Sequence, residues 1–274
     1  MERKTSPRRP PTNAQLEKDI RSRNVAELTV ALRALRLPTM RDLFLDIDRQ
    51  AEQGGWDRLR FLLSLLELET AERSRRRLED RIRESCLPKG KTFDTFDFSV
   101  LPPSVKQPHL KALAASTDWI DKGENLLIFG ATGSGKTHLA AAVGYELIHL
   151  GRRVMYTSTT KIAQELMAAA RDARLPALLA KHDRFDLLVL EDFSYARKEV
   201  SDTTPLFELL SDRYERKSII ITANQPFSEW EGIFVDKAIA NAAVDRLVHH
   251  SAIFNLGSQS FRKKQAIDRA AGKS

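Results

Sequence analysis

The segment at residues 130–137 reads GATGSGKT and limits the possible folds more than any other part of the chain. It fits the pattern G-x-x-x-x-G-K-[ST], which is the phosphate-binding P-loop. A short apolar run of strand type, residues 126–129, precedes it, and an Ala- and Leu-rich segment that ends at Gly151 follows it. Strand, glycine loop and helix therefore occur in the order that phosphate binding requires.

Each part of this loop has an expected role. Gly130, Gly133 and Gly135 let the backbone approach phosphates without a Cβ in the way. Backbone N–H groups and the positive end of the helix dipole face the anion. Lys136 is expected to reach the β- and γ-phosphates, and the Thr137 hydroxyl to bind Mg²⁺. The predicted nucleotide-binding residues are Gly130, Ala131, Thr132, Gly133, Ser134, Gly135, Lys136, Thr137 and His138.

Composition narrows the possible partners and compartments. The 274 residues carry 44 Lys and Arg against 37 Asp and Glu, a net charge of +7, which favours an anionic partner such as nucleic acid. The single cysteine, Cys86, excludes an internal disulfide framework and is typical of a reducing compartment. No apolar run approaches the ~18 residues of a membrane span. A cytoplasmic protein without a membrane partner is therefore expected.

The order of segments predicts two domains with flanking tails. Residues 1–13 are basic and proline-rich and are expected to be disordered. Helical periodicity in residues 14–87 predicts a small all-helical N-terminal domain. Prolines and glycines mark residues 88–108 as a linker. The nucleotide-binding domain is expected over residues 109–260, followed by a short basic tail at 261–274.

Three phenylalanines, Phe93, Phe96 and Phe98, stand close together in the linker. Because apolar rings are rarely left in water as a group, we expect them to pack on the following domain. Two positions are open: the adenine edge of the nucleotide site, or the core that supports it.

Short apolar strands alternate with helices from residue 109 onward, which indicates an α/β fold with a parallel sheet covered on both faces. The first helix is expected over residues 109–120. The expected strands are residues 125–129, 154–157, 187–190, 219–222 and 252–255.

One of these strands, residues 187–190, runs directly into two acids, Glu191 and Asp192. Ligands of open α/β sheets bind at the carboxyl edge of the strands, where a charged pair is costly unless it serves a metal or a water. This pattern predicts a Walker-B element. One of the two acids would bind Mg²⁺ through water, and the other would activate the attacking water. An acidic start of a loop is the alternative.

Two further polar residues are candidates for the same reaction. Asn224 follows an apolar strand and can orient the lytic water or touch the γ-phosphate, although asparagine is also a common turn residue. Arg246 lies on the last long helix and can act as an arginine finger that reaches the γ-phosphate of a neighbouring subunit. A surface salt bridge with Asp245 or a neighbouring residue is the alternative for this arginine.

Taken together, these motifs resemble the IstB family of transposition helper ATPases from insertion sequences. They resemble, less closely, the helicase loader DnaC. The resemblance extends over about residues 25–265, with the motifs in the family's order. It rests on GATGSGKTHLA at 130–140, DRYERKSIIITAN at 212–224, PFSEW at 226–230, DRLVH at 245–249 and GSQSFR at 257–262.

The resemblance implies an AAA+ P-loop NTPase core without a full C-terminal lid domain. Its five-stranded parallel sheet is expected in the order 5-1-4-3-2. The implied activity is a slow, Mg²⁺-dependent hydrolysis of ATP to ADP and phosphate, stimulated by DNA or a partner. The implied role is a homo-oligomer on duplex DNA that selects or remodels target DNA and stimulates a cognate transposase. Loading of the replicative helicase, as by DnaC, is the alternative.

The same resemblance assigns residues to roles. It makes Asn224 the sensor-1 residue and Arg246 an arginine finger that acts in trans. A helical insertion at residues 159–182 is expected to contact DNA through Lys161, Arg171, Arg174 and Lys181. The chain departs from the family in its Walker-B element, where the family has Asp first. With Glu191 first, the shorter Asp192 becomes the base, which implies slow hydrolysis or exchanged roles.

Overall fold

The structure, a computed structural model, describes residues 12–195, 202–226, 229–230, 233–234 and 236–257. The predicted C-terminal tail and nearly all of the predicted N-terminal tail lie outside these residues. The chain divides into two compact units, Met1–Arg77 and Leu78–Ser274. None of the described helices is both long enough and apolar enough to cross a lipid bilayer.

The first unit is helical, as predicted. Its elements are α1 (Asn13–Ala34), α2 (Pro38–Gly54) and the first part of α3 (Arg58–Ser85). Proline opens α2, and Gly55, in the left-handed conformation with φ of 60°, ends it. A small core consists of Leu32, Met40, Phe44 and Leu65.

The division between the units falls within α3, earlier than the predicted limit at residue 87. Leu78 and Ile82 of this helix pack against a core of the second unit, so the last turns of α3 belong to that unit. The helical periodicity of the sequence could not show this, because one helix serves both units.

In the described part of the second unit, five strands form one parallel sheet in the order β2-β3-β4-β1-β5. This confirms the predicted order 5-1-4-3-2 and the α/β class of the fold. The strands are β1 (Asn125–Phe129), β2 (Val154–Ser158), β3 (Leu187–Glu191), β4 (Ser218–Ala223) and β5 (Ser251–Asn255).

Helices cover both faces of this sheet. They are α4 (Gln107–Ala114), α5 (Asp118–Asp121), α6 (Lys136–His149), α7 (Thr159–Arg171), α8 (Leu175–Asp183), α9 (Thr204–Arg213) and α10 (Lys237–His249). The single helix predicted over 109–120 is wrong, because α4 ends at Ala114 and α5 begins at Asp118. The Ser116 hydroxyl accepts the Asp118 N–H at 3.1 Å, which gives this backbone group a partner outside a continuous helix.

Alternating strand residues enter two separate cores. Leu127 and Phe129 of β1 join a core under α7, α8, α9 and α10. Leu126 and Ile128 join a second core under α4, α5 and α6. Because side chains alternate along a strand, a slip of one residue would exchange the two sets. The cores therefore fix where each strand ends, and with it where the loops that follow begin.

Arg213, at the end of α9, is 1% exposed and contacts the backbone at the amino ends of two strands. Its guanidinium donates hydrogen bonds to the carbonyls of His182 (3.3 Å), Phe185 (3.1 Å), Asp186 (3.2 Å) and Ser218 (3.0 Å). Asp186 directly precedes β3, and Ser218 is the first residue of β4. Burial lowers the pKa of Arg213 to about 10, which leaves it charged at neutral pH.

We expect Arg213→Met to lower the free energy of unfolding by about 3 kcal/mol, because several buried carbonyls lose their donor. Arg216→Met is the matched control. Arg216 is exposed and forms ion pairs with Asp183 and Asp212, so its loss should cost about 1 kcal/mol or less. Urea unfolding followed by circular dichroism measures both. Equal losses in the two variants would contradict the assigned role of Arg213.

Candidate nucleotide-binding site

The glycine loop crosses from the carboxyl end of β1 to the first turn of α6. The Gly130 N–H donates to the Ala223 carbonyl at the end of β4 (3.3 Å). The Ala131 N–H donates to the carbonyl of Gly257, just after β5 (3.0 Å). Because β4 and β5 flank β1, the loop is held from both sides by the neighbouring strands.

Two glycines of the loop are required by geometry. Gly130 has φ of 153°, and a Cβ there would lie 2.6 Å from the Ser134 Oγ. Gly135 has φ of 97°, and a Cβ there would lie 3.1 Å from the ring of Phe96. The Ser134 hydroxyl is buried and has no hydrogen-bond partner among the described residues. A polar group without a protein partner inside the loop fits a ligand rich in oxygen atoms.

Lys136 places a positive charge inside this loop. Its side chain is buried, and its Nζ donates to the carbonyls of Gly130 (2.7 Å) and Ala131 (3.0 Å). The ammonium therefore lies across the loop at the N-terminus of α6, where the helix dipole also favours an anion. A phosphate group matches both features.

Thr137 and Glu191 meet beside the loop, although 54 positions separate them in the sequence. The Thr137 hydroxyl, in the first turn of α6, donates a hydrogen bond to Oε1 of Glu191, the last residue of β3. A hydroxyl and a carboxylate are hard oxygen donors, the ligand type that Mg²⁺ prefers. The pair therefore fits the metal ion that the sequence implied.

The pKa of Glu191 is raised, and burial is the largest cause. The negative charge of Asp192 raises it further. The hydrogen bond from Thr137 and the positive charges of Lys91 and Lys136 act in the opposite direction. The folded protein thus holds this carboxylate in an environment that disfavours its negative charge. A bound divalent cation would stabilise that charge.

Asp192 and Asn224 lie at the same edge of the sheet. Asp192 follows β3 with φ of 55°, and its N–H donates to Thr222 Oγ1 of β4 at 3.1 Å. Asn224 follows β4, whose last residue, Ala223, is in register with Phe129 of β1. Asn224 is therefore adjacent to the start of the P-loop. The structure thus brings the candidates from three strand ends to one edge of the sheet.

Arg246 lies elsewhere. Its guanidinium donates to the Ser211 hydroxyl and lies over the rings of Phe207 (5.1 Å) and Tyr214 (5.9 Å). These partners belong to α9 and the residue after it. Among the described residues no ion pair joins Arg246 to Asp245 or to another neighbour, so the salt bridge given as the alternative is absent there.

The position of α10 places Arg246 at the amino edge of the sheet. The carbonyl of the next residue, Leu247, accepts a hydrogen bond from the Asn125 side chain at the first residue of β1 (3.3 Å). The P-loop begins at the other end of this five-residue strand. At about 3.3 Å per residue the two edges are roughly 15 Å apart. Arg246 is thus not brought to the P-loop of its own chain.

The residues expected to contact DNA are on α7, α8 and the turn between them. The apolar face of α7, with Ile162 and Leu166, packs into the core beneath it. The cationic side chains are exposed, and Arg174 forms an ion pair with Asp172. The four residues are Lys161, Arg171, Arg174 and Lys181. Their side chains do not line the candidate nucleotide site.

A cavity of about 200 Å³ adjoins the P-loop. One side consists of Gly133, Gly135, Lys136, Thr137 and His138, all of them predicted site residues. The other side comes from the linker and was not predicted as part of the site. It consists of Lys91, Thr95, Phe96, Asp97 and Val100.

The signal that could have found this second wall was the group of three linker phenylalanines. Their predicted packing on the following domain is confirmed: Phe96 is buried in the core under α6, with Phe93 and Phe98 against it. Phe96 contacts both Phe98 (5.0 Å between ring centroids) and His138 (5.1 Å). The linker thus joins the core and the edge of the cavity at once.

Comparison with known proteins gives one consistent family. A family model described as IstB-like ATP binding protein matches residues 30–269. An insertion sequence ATP-binding protein of Sinorhizobium fredii is 47% identical over 243 residues, which cover 89% of this chain and 81% of that protein. The IS21 ATP-binding protein of Pseudomonas aeruginosa is 32% identical over 239 residues, which cover 87% and 89%.

Solved structures of replication proteins are also similar. The AMPPCP-bound DnaA from Aquifex aeolicus aligns with a TM-score of 0.49 and 19% identity over 69% of this chain and 56% of that chain. The DnaC helicase loader aligns with a TM-score of 0.46 and 21% identity over 61% and 97%.

We expect Glu191→Gln to stabilise the ligand-free protein at neutral pH. The pKa of Glu191 is raised above its ordinary value of 4.5, so the folded state holds this proton more tightly than the unfolded state. The resulting stability is complete below pH 4.5 and is lost as the pH rises through the folded pKa. Glutamine retains an oxygen for Thr137 and carries no charge.

Urea unfolding without nucleotide or Mg²⁺, at pH 8 and near pH 4, measures this effect. The variant should have the higher midpoint at pH 8, and the difference should shrink at the lower pH. Glu146→Gln, on the same helix as Thr137, is the control for the change of residue type and should leave the midpoint at pH 8 close to that of wild type. A variant less stable than wild type at pH 8 would contradict the burial argument.

Proposed function

This chain belongs to the family of IstB-like ATP-binding proteins, and from this membership we propose that it is an ATP-dependent regulator of transposition. It would hydrolyse ATP to ADP and phosphate, assemble on duplex DNA and stimulate a partner transposase. The observation that carries the ATPase part is the meeting of the P-loop with Glu191, Asp192 and Asn224 at one edge of the sheet.

In this proposal the loop N–H groups and Lys136 bind the phosphates, as the position of the Lys136 ammonium supports. Thr137 and Glu191 hold Mg²⁺, which when bound neutralises charge that develops on the phosphate oxygens. Asp192 accepts the proton of the attacking water, and Asn224 orients that water. The contact of Thr137 with Glu191, rather than with Asp192, supports this division of roles.

Asp192 is one methylene shorter than glutamate. A base must come within hydrogen-bond reach of the proton that it accepts, so a shorter side chain places the water less favourably. Slow basal hydrolysis follows from this proposal. A DNA- or partner-induced change could then regulate the rate by moving the base closer.

Arg246 is proposed to serve the site of a neighbouring subunit. Its location at the amino edge of the sheet, opposite the P-loop, supports action in trans over action in cis. Its stacking on Phe207 and Tyr214 would hold the guanidinium in a fixed direction. Subunits would then associate head to tail, with the amino edge of one against the carboxyl edge of the next.

Binding to duplex DNA is proposed through the exposed cations of α7 and α8. Phosphate contacts carry no sequence information, so the affinity should fall steeply with salt and depend little on sequence. The names of the relatives, which are insertion sequence proteins, favour transposition over helicase loading. Capture of the cognate transposase, and not of the replicative helicase, from the same cell tests that choice.

We expect Asp192→Asn to reduce ATP hydrolysis by ~100-fold or more while ATP-dependent DNA binding persists, because only the proton acceptor is lost. Phosphate release and fluorescence anisotropy of a labelled duplex measure the two activities. Asp118→Asn, an exposed change at α5, is the control and should leave both unchanged. Wild-type hydrolysis in Asp192→Asn would show that the base lies elsewhere.

We expect Arg246→Ala to bind ATP normally and to hydrolyse it about 10³-fold more slowly, because an arginine finger contributes on this scale. The Lys136→Ala variant lacks phosphate binding and retains Arg246. Mixing the two inactive proteins should restore part of the activity, since some interfaces then combine an intact loop with an intact finger. Absence of any restored activity in the mixture, with both proteins folded, would contradict action in trans.

A further inference from the structure

The linker is attached directly to the first turn of α6. The His138 Nε2 lies 2.9 Å from the Thr92 carbonyl and 3.1 Å from the Thr95 hydroxyl. Phe96 is 7% exposed and its ring lies against Gly135. These contacts hold residues 92–96 against the two positions that flank Lys136 and Thr137. The linker wall of the cavity is therefore a fixed part of the nucleotide site.

Lys91 precedes this attached segment by one residue and lines the cavity together with Gly133, Lys136 and Thr137. Its side chain is partly buried, and no carboxylate lies within ion-pair distance of it in the described part of the chain. A lysine that is partly removed from water without a partner carries an unfavourable cost unless a ligand provides the anion.

Lys91 and Lys136 line the same cavity from its two sides. Both lysines therefore border the same small region beside the P-loop. That region is where the proposed function places the phosphates of ATP.

We infer that Lys91, in the linker, is a second phosphate-binding lysine. It binds the anionic oxygens of the nucleoside triphosphate in the cavity between the linker and the P-loop. The inference rests on the proposed binding of ATP at residues 130–137. It adds a residue outside the P-loop motif to the site. It also gives the linker a direct contact with the part of the nucleotide that hydrolysis changes.

The test compares the affinities of Lys91→Gln and wild type for ATP, ADP and adenosine, measured by calorimetry with Mg²⁺ present. We expect ATP to bind about tenfold more weakly to the variant, because one charge-assisted hydrogen bond is lost. The loss should be smaller for ADP and absent for adenosine. Lys91→Arg, which keeps the charge, should recover most of the ATP affinity.

Lys89→Gln is the matched control, since Lys89 is exposed, lies two residues away and does not line the cavity. It should bind all three ligands as wild type does. Unchanged ATP affinity in Lys91→Gln, or an equal loss for adenosine, would overturn the inference. Wild type and Lys136→Ala show whether the proposed function fails or only the inference about Lys91. If wild type binds no ATP, the proposed function fails as well. If wild type and Lys91→Gln bind ATP equally well and Lys136→Ala does not bind it, only the role of Lys91 fails.

Discussion

The common direction of the strands is the constraint on which the rest of this protein depends. Because β1, β3 and β4 run parallel, the residues that follow them meet at one edge. The order of the strands places Asn224, after β4, between the two acids after β3 and the glycine loop after β1. Two cores, one on each face, fix the register of the strands and therefore the positions of the strand ends that precede these groups.

The opposite edge of the sheet carries the stabilising contacts. There Arg213 donates to carbonyls near the starts of β3 and β4, and Asn125 links β1 to α10. The carboxyl edge instead holds a buried ammonium, a carboxylate with a raised pKa and a hydroxyl without a partner in the described residues. Such groups disfavour folding and favour ligand binding. The hydrogen bonds at the amino ends of the strands stabilise the sheet and so compensate for these unfavourable groups at the carboxyl ends.

Local patterns in the sequence were sufficient for the loop, the strands and the acids after β3, because each depends on residues close together in the chain. The strand order came from the resemblance to a family, since periodicity does not state which strands are neighbours. Contacts across long separations were missed. Lys91 beside the P-loop and Arg213 among its carbonyls depend on segments that meet only after folding. The break before α5, where the Ser116 hydroxyl accepts the Asp118 N–H, was also missed.

The separation between the P-loop and Arg246 has a consequence for any assembly in which Arg246 acts in trans. A row of such subunits has polarity, and its two ends differ: one exposes a loop that no arginine completes, the other an arginine with no loop to serve. The terminal nucleotide would be hydrolysed most slowly and would persist as a cap. Growth and loss of subunits would then differ between the ends, so a regulator built this way could mark direction along DNA without reading its sequence.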